Sequence, residues 1–275
     1  MNMIKKSFIF LEKVGSTKEQ SIWKQGIADW HDFLNVKSVN GISQQKKQYY
    51  NRKLREAQHA LREENPSHFI HKLPKKEMWR LYDYFREEVG YVDIEVDSYG
   101  KIVLIGISNY YNSNFFVKGV NLESTNIENE LQKYKLIVTY NGHSFDIPKI
   151  QKELKINIKV PHIDLKPLCV NLGLKGGLKE IEKKLNLKRP QNLYGNPVDL
   201  WKAFHASGDR EYLELLIAYN GEDCENLKSV MNKVYTILSK RIGKISKKKK
   251  KIFGESKKSF FSYGRGKRLC CRHSK

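Results

Sequence analysis

The sequence predicts an α/β protein: a mixed five-stranded sheet flanked by helices, preceded by a small helical region and followed by a basic tail. Three observations carry this. From Tyr91 to Val117 the chain offers three short apolar runs separated by tight turns, Tyr91 to Val96, Lys101 to Ile107 and Asn114 to Val117, which reads as an antiparallel meander. Beyond it, strand-like and helix-like stretches alternate as far as Leu238. The flanks differ in charge: residues 1 to 90 carry 17 basic and 11 acidic side chains, 91 to 239 carry 19 and 18, and from Lys240 onward 15 basic residues face the single acid Glu255. The expected boundaries are therefore 1–88 for the helical region, 89–240 for the α/β domain and 241–275 for a basic, disordered tail.

Taken in order, residues 4 to 11 read as a short strand or an apolar lead-in. Ser16-Thr17-Lys18-Glu19 has the form of a capping box and Gly26 can end that helix in the left-handed conformation. A second short helix is expected from Asp29, carrying Trp30, Phe33 and Leu34. Two short helices about a glycine-containing turn resemble a helix-hairpin-helix whose phosphate-gripping hairpin is reduced to Val14-Gly15-Ser16. Ser43 can cap a longer helix with Tyr50, Leu54, Ala57 and Leu61 on one stripe, closed by Asn65-Pro66. Its basic residues, among them Lys46, Lys47, Arg52 and Lys53, read as a solvated face or a phosphate-binding ridge. Pro74 suits the first turn of another helix with Met78, Leu81, Tyr82 and Phe85 inward. After the meander, Ile127 to Tyr134 reads as helix, Leu136 to Tyr140 and Val160 to Leu165 as the fourth and fifth strands, and Glu211 to Leu238 as a long helix.

The net charge of +21 over 275 residues points to a polyanionic partner, nucleic acid first and an anionic membrane surface second. No apolar run approaches the roughly 18 residues a membrane span needs. Lys5-Lys6 followed by Ser7 to Leu11 mimics a signal start, but Glu12 and Lys13 end the apolar run early, so the expected location is cytoplasmic. Cys169, Cys224, Cys270 and Cys271 are too few and too unevenly spaced for a disulfide framework, and Cys270-Cys271 with His273 lacks ordinary zinc-ligand spacing. In the tail, Lys247 to Lys251 and Phe260 to Arg268 mix cations with aromatics, a mixture that suits single-stranded nucleic acid or simply a solvated segment.

Within the first strand, Val92, Ile94 and Val96 alternate with Asp93 and Glu95, so the two acids share one sheet face, roughly 7 Å apart at the backbone. Two carboxylates on a packed face are costly unless one is protonated or a cation lies between them. The other reading of the same alternation is an edge strand with one face in water. A third acid, Asp146, stands at a strand-to-helix corner, in Asn141-Gly142-His143-Ser144-Phe145-Asp146. Tyr219 and Asp223, four apart, share a face of the last helix. His162 and Asp164 at a strand end read as hydrogen-bonded to backbone, and Glu222 and Glu225 as solvent-facing.

On these residues the chain resembles the DEDD superfamily of 3′-to-5′ exonucleases on the ribonuclease H-like fold, in its tyrosine-bearing branch, and most closely the YprB-like ribonuclease H-like proteins. Asp93 and Glu95 match the first family motif, Asn141, Phe145 and Asp146 the second, and Tyr219 and Asp223 the third. Further similarity lies in His162 to Leu165, Gly176 to Glu182 and Leu200-Trp201. Family members often carry Thr where Val96 stands and Gly-Lys where Gly142-His143 stands. The resemblance implies a metal-dependent nuclease of single-stranded 3′ ends, with two Mg²⁺ or Mn²⁺ ions held by Asp93, Glu95, Asp146 and Asp223. It further implies that Tyr219 orients the attacking water, and that Asn141 and Phe145 contact the terminal nucleotide or brace the Asp146 corner. An endonuclease with the same ligands, or a nucleic-acid-binding scaffold that does not cut, are the other readings. Whether the substrate is DNA or RNA is not written in these motifs.

Overall fold

In the computed structural model, residues 2–190 and 195–260 are described, the side chains of 244–260 excepted. The predicted sheet is present: five strands, β1 (Val89–Val96), β2 (Ile102–Ser108), β3 (Ser113–Val117), β4 (Leu136–Thr139) and β5 (His162–Asp164), lie in the order β3-β2-β1-β4-β5. The meander β1-β2-β3 is antiparallel, and β4 and β5 add in parallel beyond β1. Before the sheet come α1 (Ser16–Lys24), α2 (Trp30–Asn35) and α3 (Gln44–Arg62). Within and after it come α4 (Ser124–Leu131), α5 (Asp146–Leu154), α6 (Leu165–Asn171), α7 (Leu178–Lys184), α8 (Pro197–Ser207) and α9 (Arg210–Phe260).

The period-two alternation of β1 divides its side chains between two cores, as a pleated strand must. Val92 and Ile94 pack with Ile127, Leu131 and Ile150 from α4 and α5 on one face. Val89 and Tyr91 pack with Leu227, Val230 and Met231 of α9 on the other. Asp93 and Glu95 follow Tyr91 on that α9 face. β4 pairs with β1 only from Val89 to Tyr91, so Asp93 and Glu95 project beyond the carboxyl end of β4, at the open end of the parallel part of the sheet. That is the location where α/β sheets expose functional groups.

Of the two readings of residues 4 to 11, the apolar lead-in holds and the strand does not: a 3-10 turn at Ile4–Lys6 leads into buried turns. The helical region differs from expectation in three places. Ser16 begins α1 instead of capping it, Gly15 holds the N-cap position, and Glu19 makes no capping box. Glu19 turns inward, only 1% exposed, where its carboxylate accepts from the amides of Phe8 (2.7 Å) and Ile9 (3.2 Å) and pairs with Arg80 at 2.9 Å. The turn at Phe8 and Ile9 has no ladder to satisfy its amides, and a buried acceptor with its own cation does so at less cost than two orphan donors. The segment after Pro74 is 3-10, Lys75–Leu81, not α. Lys47 does not join a solvated face; it is buried, with its ammonium 4.6 Å from the Phe33 ring centre and donating to Asn51.

Other readings hold. Gly26 has a left-handed φ of +87°, Asp29 caps α2 through the Asp32 amide, and Ser43 caps α3 through the Lys46 amide. Residues of this region, including Phe8, Trp30, Phe33, Tyr50 and Tyr82, belong to the same hydrophobic cluster as Tyr91, Val138 and the α9 residues Leu227 to Leu238. Tyr82 also bonds Tyr91 and Asn232 across that contact.

The last helix continues past Leu238 to Phe260, so the stretch expected as tail from residue 241 starts as helix. The rest of that segment, 261–275, with the Phe261 to Arg268 aromatics and cations and Cys270, Cys271 and His273, lies outside the described residues. No helix among the described residues is long and apolar enough to cross a membrane.

Candidate active site

Three carboxylates from two distant parts of the chain meet on the α9 face of β1. Asp93, Glu95 and Asp223 each offer an oxygen, and these atoms lie within 4.8 Å of one another. α9 can come this close because of Gly106, which sits opposite Asp93 in the β1–β2 register. A Cβ on Gly106 would lie 1.8 Å from the side-chain oxygen of Asn220 and 3.1 Å from Cys224 Sγ. Into the space left by that missing methyl, Asn220 projects and donates from Nδ2 to Asp93 Oδ2 at 2.8 Å.

Asp146 opens α5 at the corner after β4 and is 4% exposed. It stands outside the three-carboxylate group, but its charge reaches it: Asp146 raises the pKa of both Asp93 and Glu95. The corner is built by Asp164. That carboxylate accepts from the amides of Asn141 (2.7 Å), His143 (3.0 Å) and Lys166 (3.0 Å), which holds Asn141 at a left-handed φ of +68° and also caps α6. These bonds, with that of His143, hold Asp164 below the usual carboxylate range despite its burial. His162, pushed down to about 3 chiefly by burial, is neutral and contacts Thr139 Oγ1 at 2.8 Å. Both residues are thus occupied structurally. Glu225 is half-exposed beside Lys228, whereas Glu222 is partly buried and accepts from Asn226.

The electrostatics of the acids are those of a cluster whose burial and mutual repulsion outweigh the nearby cations Arg189 and Lys179. Burial and then the neighbouring Asp223, Asp146 and Glu95 push Asp93 well above its usual range. Glu95 rises to about 8, from burial first and Asp223 second. Asp146 rises to about 7, mainly from burial. Asp223 is raised by burial even though Arg189 opposes the shift. Oxygen donors alone, without thiolate or imidazole, suit hard divalent cations, and such ions would offset the repulsion.

Tyr219 lies one helical turn before Asp223 and is 8% exposed, with Lys179 Nζ 4.4 Å from its ring centre. Phe145, next to the buried Asp146, is 42% exposed, and Lys149 stands 5.8 Å from its ring centre. Its ring is therefore not core packing. The sequence reading missed Asn220, Gly106, Arg189 and Glu182 as parts of this site. Arg189 donates to Glu182 at 2.5 Å and 2.7 Å and to Asp223. Glu182 and Lys179 stand in the Gly176 to Glu182 stretch that supported the family resemblance, and that stretch is the one signal that pointed to them.

A mixed 3-2-1-4-5 sheet with helices on both faces and acids at the end of its central strand defines a ribonuclease H-like protein, the class to which many nucleases belong. A family model described as the RNase H superfamily matches residues 90–235, just over half of the chain. The chain belongs to the RNase H superfamily, a fold that fits nuclease activity, nucleic-acid binding and the use of divalent metals. No curated protein matches it.

Proposed function

We propose that this protein is a metal-dependent 3′-to-5′ exonuclease of single-stranded nucleic acid, of the tyrosine-bearing DEDD type and close to the YprB-like proteins, with residues 89–240 as its catalytic unit. The observation that carries the reading is the meeting of Asp93 and Glu95 with Asp223 from 128 residues further along the chain, within 4.8 Å. A chain that only binds nucleic acid has no need to bring three mutually repelling carboxylates onto one buried face, where each costs desolvation.

Asp93, Glu95, Asp146 and Asp223 would hold two Mg²⁺ or Mn²⁺ ions. When bound, these supply Lewis-acid stabilisation of the charge that develops on the phosphodiester oxygens. The other roles fall to side chains. Asn220 fixes the rotamer of Asp93 through its 2.8 Å bond, so that carboxylate is oriented before any ion arrives. Tyr219, on the Asp223 face of α9, would present its hydroxyl to the attacking water. The exposed Phe145 ring offers a stacking surface for the terminal base, and Asn141 a polar contact beside it.

The experiment is cleavage of 5′-labelled single-stranded DNA and RNA in Mg²⁺, with Asp146→Asn alongside. Products that shorten stepwise from the 3′ end, absent with the variant, are expected. Internal cuts would make it an endonuclease, and binding without cleavage a scaffold; either overturns the proposal.

A further inference from the structure

Two cations stand at the rim of the acid cluster, both from the segment that runs through and just past α7. Lys179 is exposed and, among the described residues, makes no hydrogen bond or ion pair. Its ammonium lies over the Tyr219 ring, and its charge acts on both Glu95 and Asp223. Arg189 is held differently. Its Nε and Nη2 donate to the two oxygens of Glu182, at 2.5 Å and 2.7 Å, and Nη2 also reaches Asp223. Glu182 is 1% exposed, so the anchor is a buried carboxylate, while the Arg189 side chain keeps 19% of its surface in solvent. Its Nη1 makes no hydrogen bond among the described residues.

Neutralising Asp223 does not account for this arrangement. An arginine placed only to offset that charge needs no second carboxylate, and burying Glu182 to provide one carries a desolvation cost. What Glu182 adds is orientation. It fixes the plane of the guanidinium through Nε and Nη2 and leaves the two Nη1 N–H groups without a partner among the described residues. A guanidinium held in this way can donate through Nη1 to a phosphate oxygen. Lys179, over the Tyr219 ring, adds a second positive charge that also acts on Asp223.

We propose that Lys179 and Arg189 form a phosphate cradle that takes a backbone phosphodiester of the substrate strand next to the one being cut. The proposal rests on the nuclease reading above and adds to it the part of the strand that is gripped. Nothing in the cradle reads a base edge or a 2′-hydroxyl, so it accepts DNA and RNA alike.

The test is binding in EDTA, where no cleavage occurs, followed by fluorescence anisotropy. The probes are labelled ten-nucleotide DNA strands, each with one uncharged methylphosphonate linkage at the first, second, third or fourth position from the 3′ end. In the wild-type protein one position should lower affinity about five- to tenfold, in line with the loss of one charge-assisted phosphate contact. Lys179→Ala and Arg189→Ala should each shrink that drop to below about twofold and leave the other positions unchanged. Lys179 is exposed and makes no hydrogen bond or ion pair among the described residues, so its variant separates the effect from misfolding. Glu182→Gln retains both cations but removes the charged anchor of the guanidinium, and should weaken the position effect as Arg189→Ala does. A position effect that survives in all three variants, or none in the wild type, overturns the cradle. Wild-type protein that shows the effect yet releases no 3′ nucleotides in Mg²⁺ refutes the exonuclease alone. Cleavage with an undiminished effect in the variants refutes the cradle alone.

Discussion

Asp146→Asn should make the metal-free protein more stable at alkaline pH while abolishing its proposed cleavage. Burial raises the Asp146 carboxyl from its ordinary value of 3.8 to about 7. A raised folded-state pKa means that the folded protein holds a proton which the unfolded chain has released, throughout the window between these values. The stability from this group is therefore complete below about pH 4 and is lost as pH rises through about 7. At 1.36 kcal/mol per unit, the loss is about 4 kcal/mol. With only 4% of the residue exposed, solvent screening leaves that figure largely intact. About 3 kcal/mol of it falls between pH 5 and pH 8, which for a chain of this size corresponds to a melting temperature lower by about 6 °C at pH 8 than at pH 5, from this group alone. Asparagine retains the shape but not the ionisation, so in EDTA the variant should show a pH 5 to pH 8 decrease smaller by that amount. Comparing the two proteins cancels carboxylates of opposite sign, such as Asp164, whose stabilisation disappears only as pH falls. Thermal unfolding by circular dichroism reads it. Equal pH slopes for variant and wild type would refute the argument that burial holds the Asp146 carboxyl well above its ordinary range.

Gly106→Ala should dislodge Asn220 from Asp93, because its Cβ would fall 1.8 Å from the Asn220 oxygen. A stability loss of about 1–3 kcal/mol, typical of overpacking, and at least a tenfold fall in Mn²⁺ affinity by calorimetry are expected. Glu19→Gln removes one partner of a buried ion pair far from the acids. It should cost about 3–5 kcal/mol in urea unfolding and leave Mn²⁺ affinity unchanged. Deleting 244–275, which carry 13 basic residues and one acid, should flatten the dependence of oligonucleotide binding on salt concentration. An unchanged slope would remove the tail from the interface.

How far the protein is legible from its sequence depends on whether a feature is local. The alternation in β1 and the four-residue spacing of Tyr219 and Asp223 are written in consecutive residues, because strand and helix periods are properties of the backbone. The meander and the corner at Asp146 follow from the same kind of signal. Glu19 misled because its S/T-x-x-E pattern is local, whereas its real partner Arg80 is 61 positions away. Competition for a buried acceptor outweighed a surface cap. Gly106, Asn220 and Arg189 were missed for a related reason. Gly106 matters only because α9 crosses β2 there, and Arg189 only because α7 brings Glu182 beside Asp223, and no period marks either contact.

The central claim is that these carboxylates share divalent cations. Its most direct test is a crystal of the wild-type protein grown with Mn²⁺ and measured at the manganese absorption edge. Anomalous peaks between β1 and α9, bounded by Asp93, Glu95, Asp146 and Asp223 and lost in Asp223→Asn, are predicted. A clear map with no peak there at saturating Mn²⁺ would contradict the account.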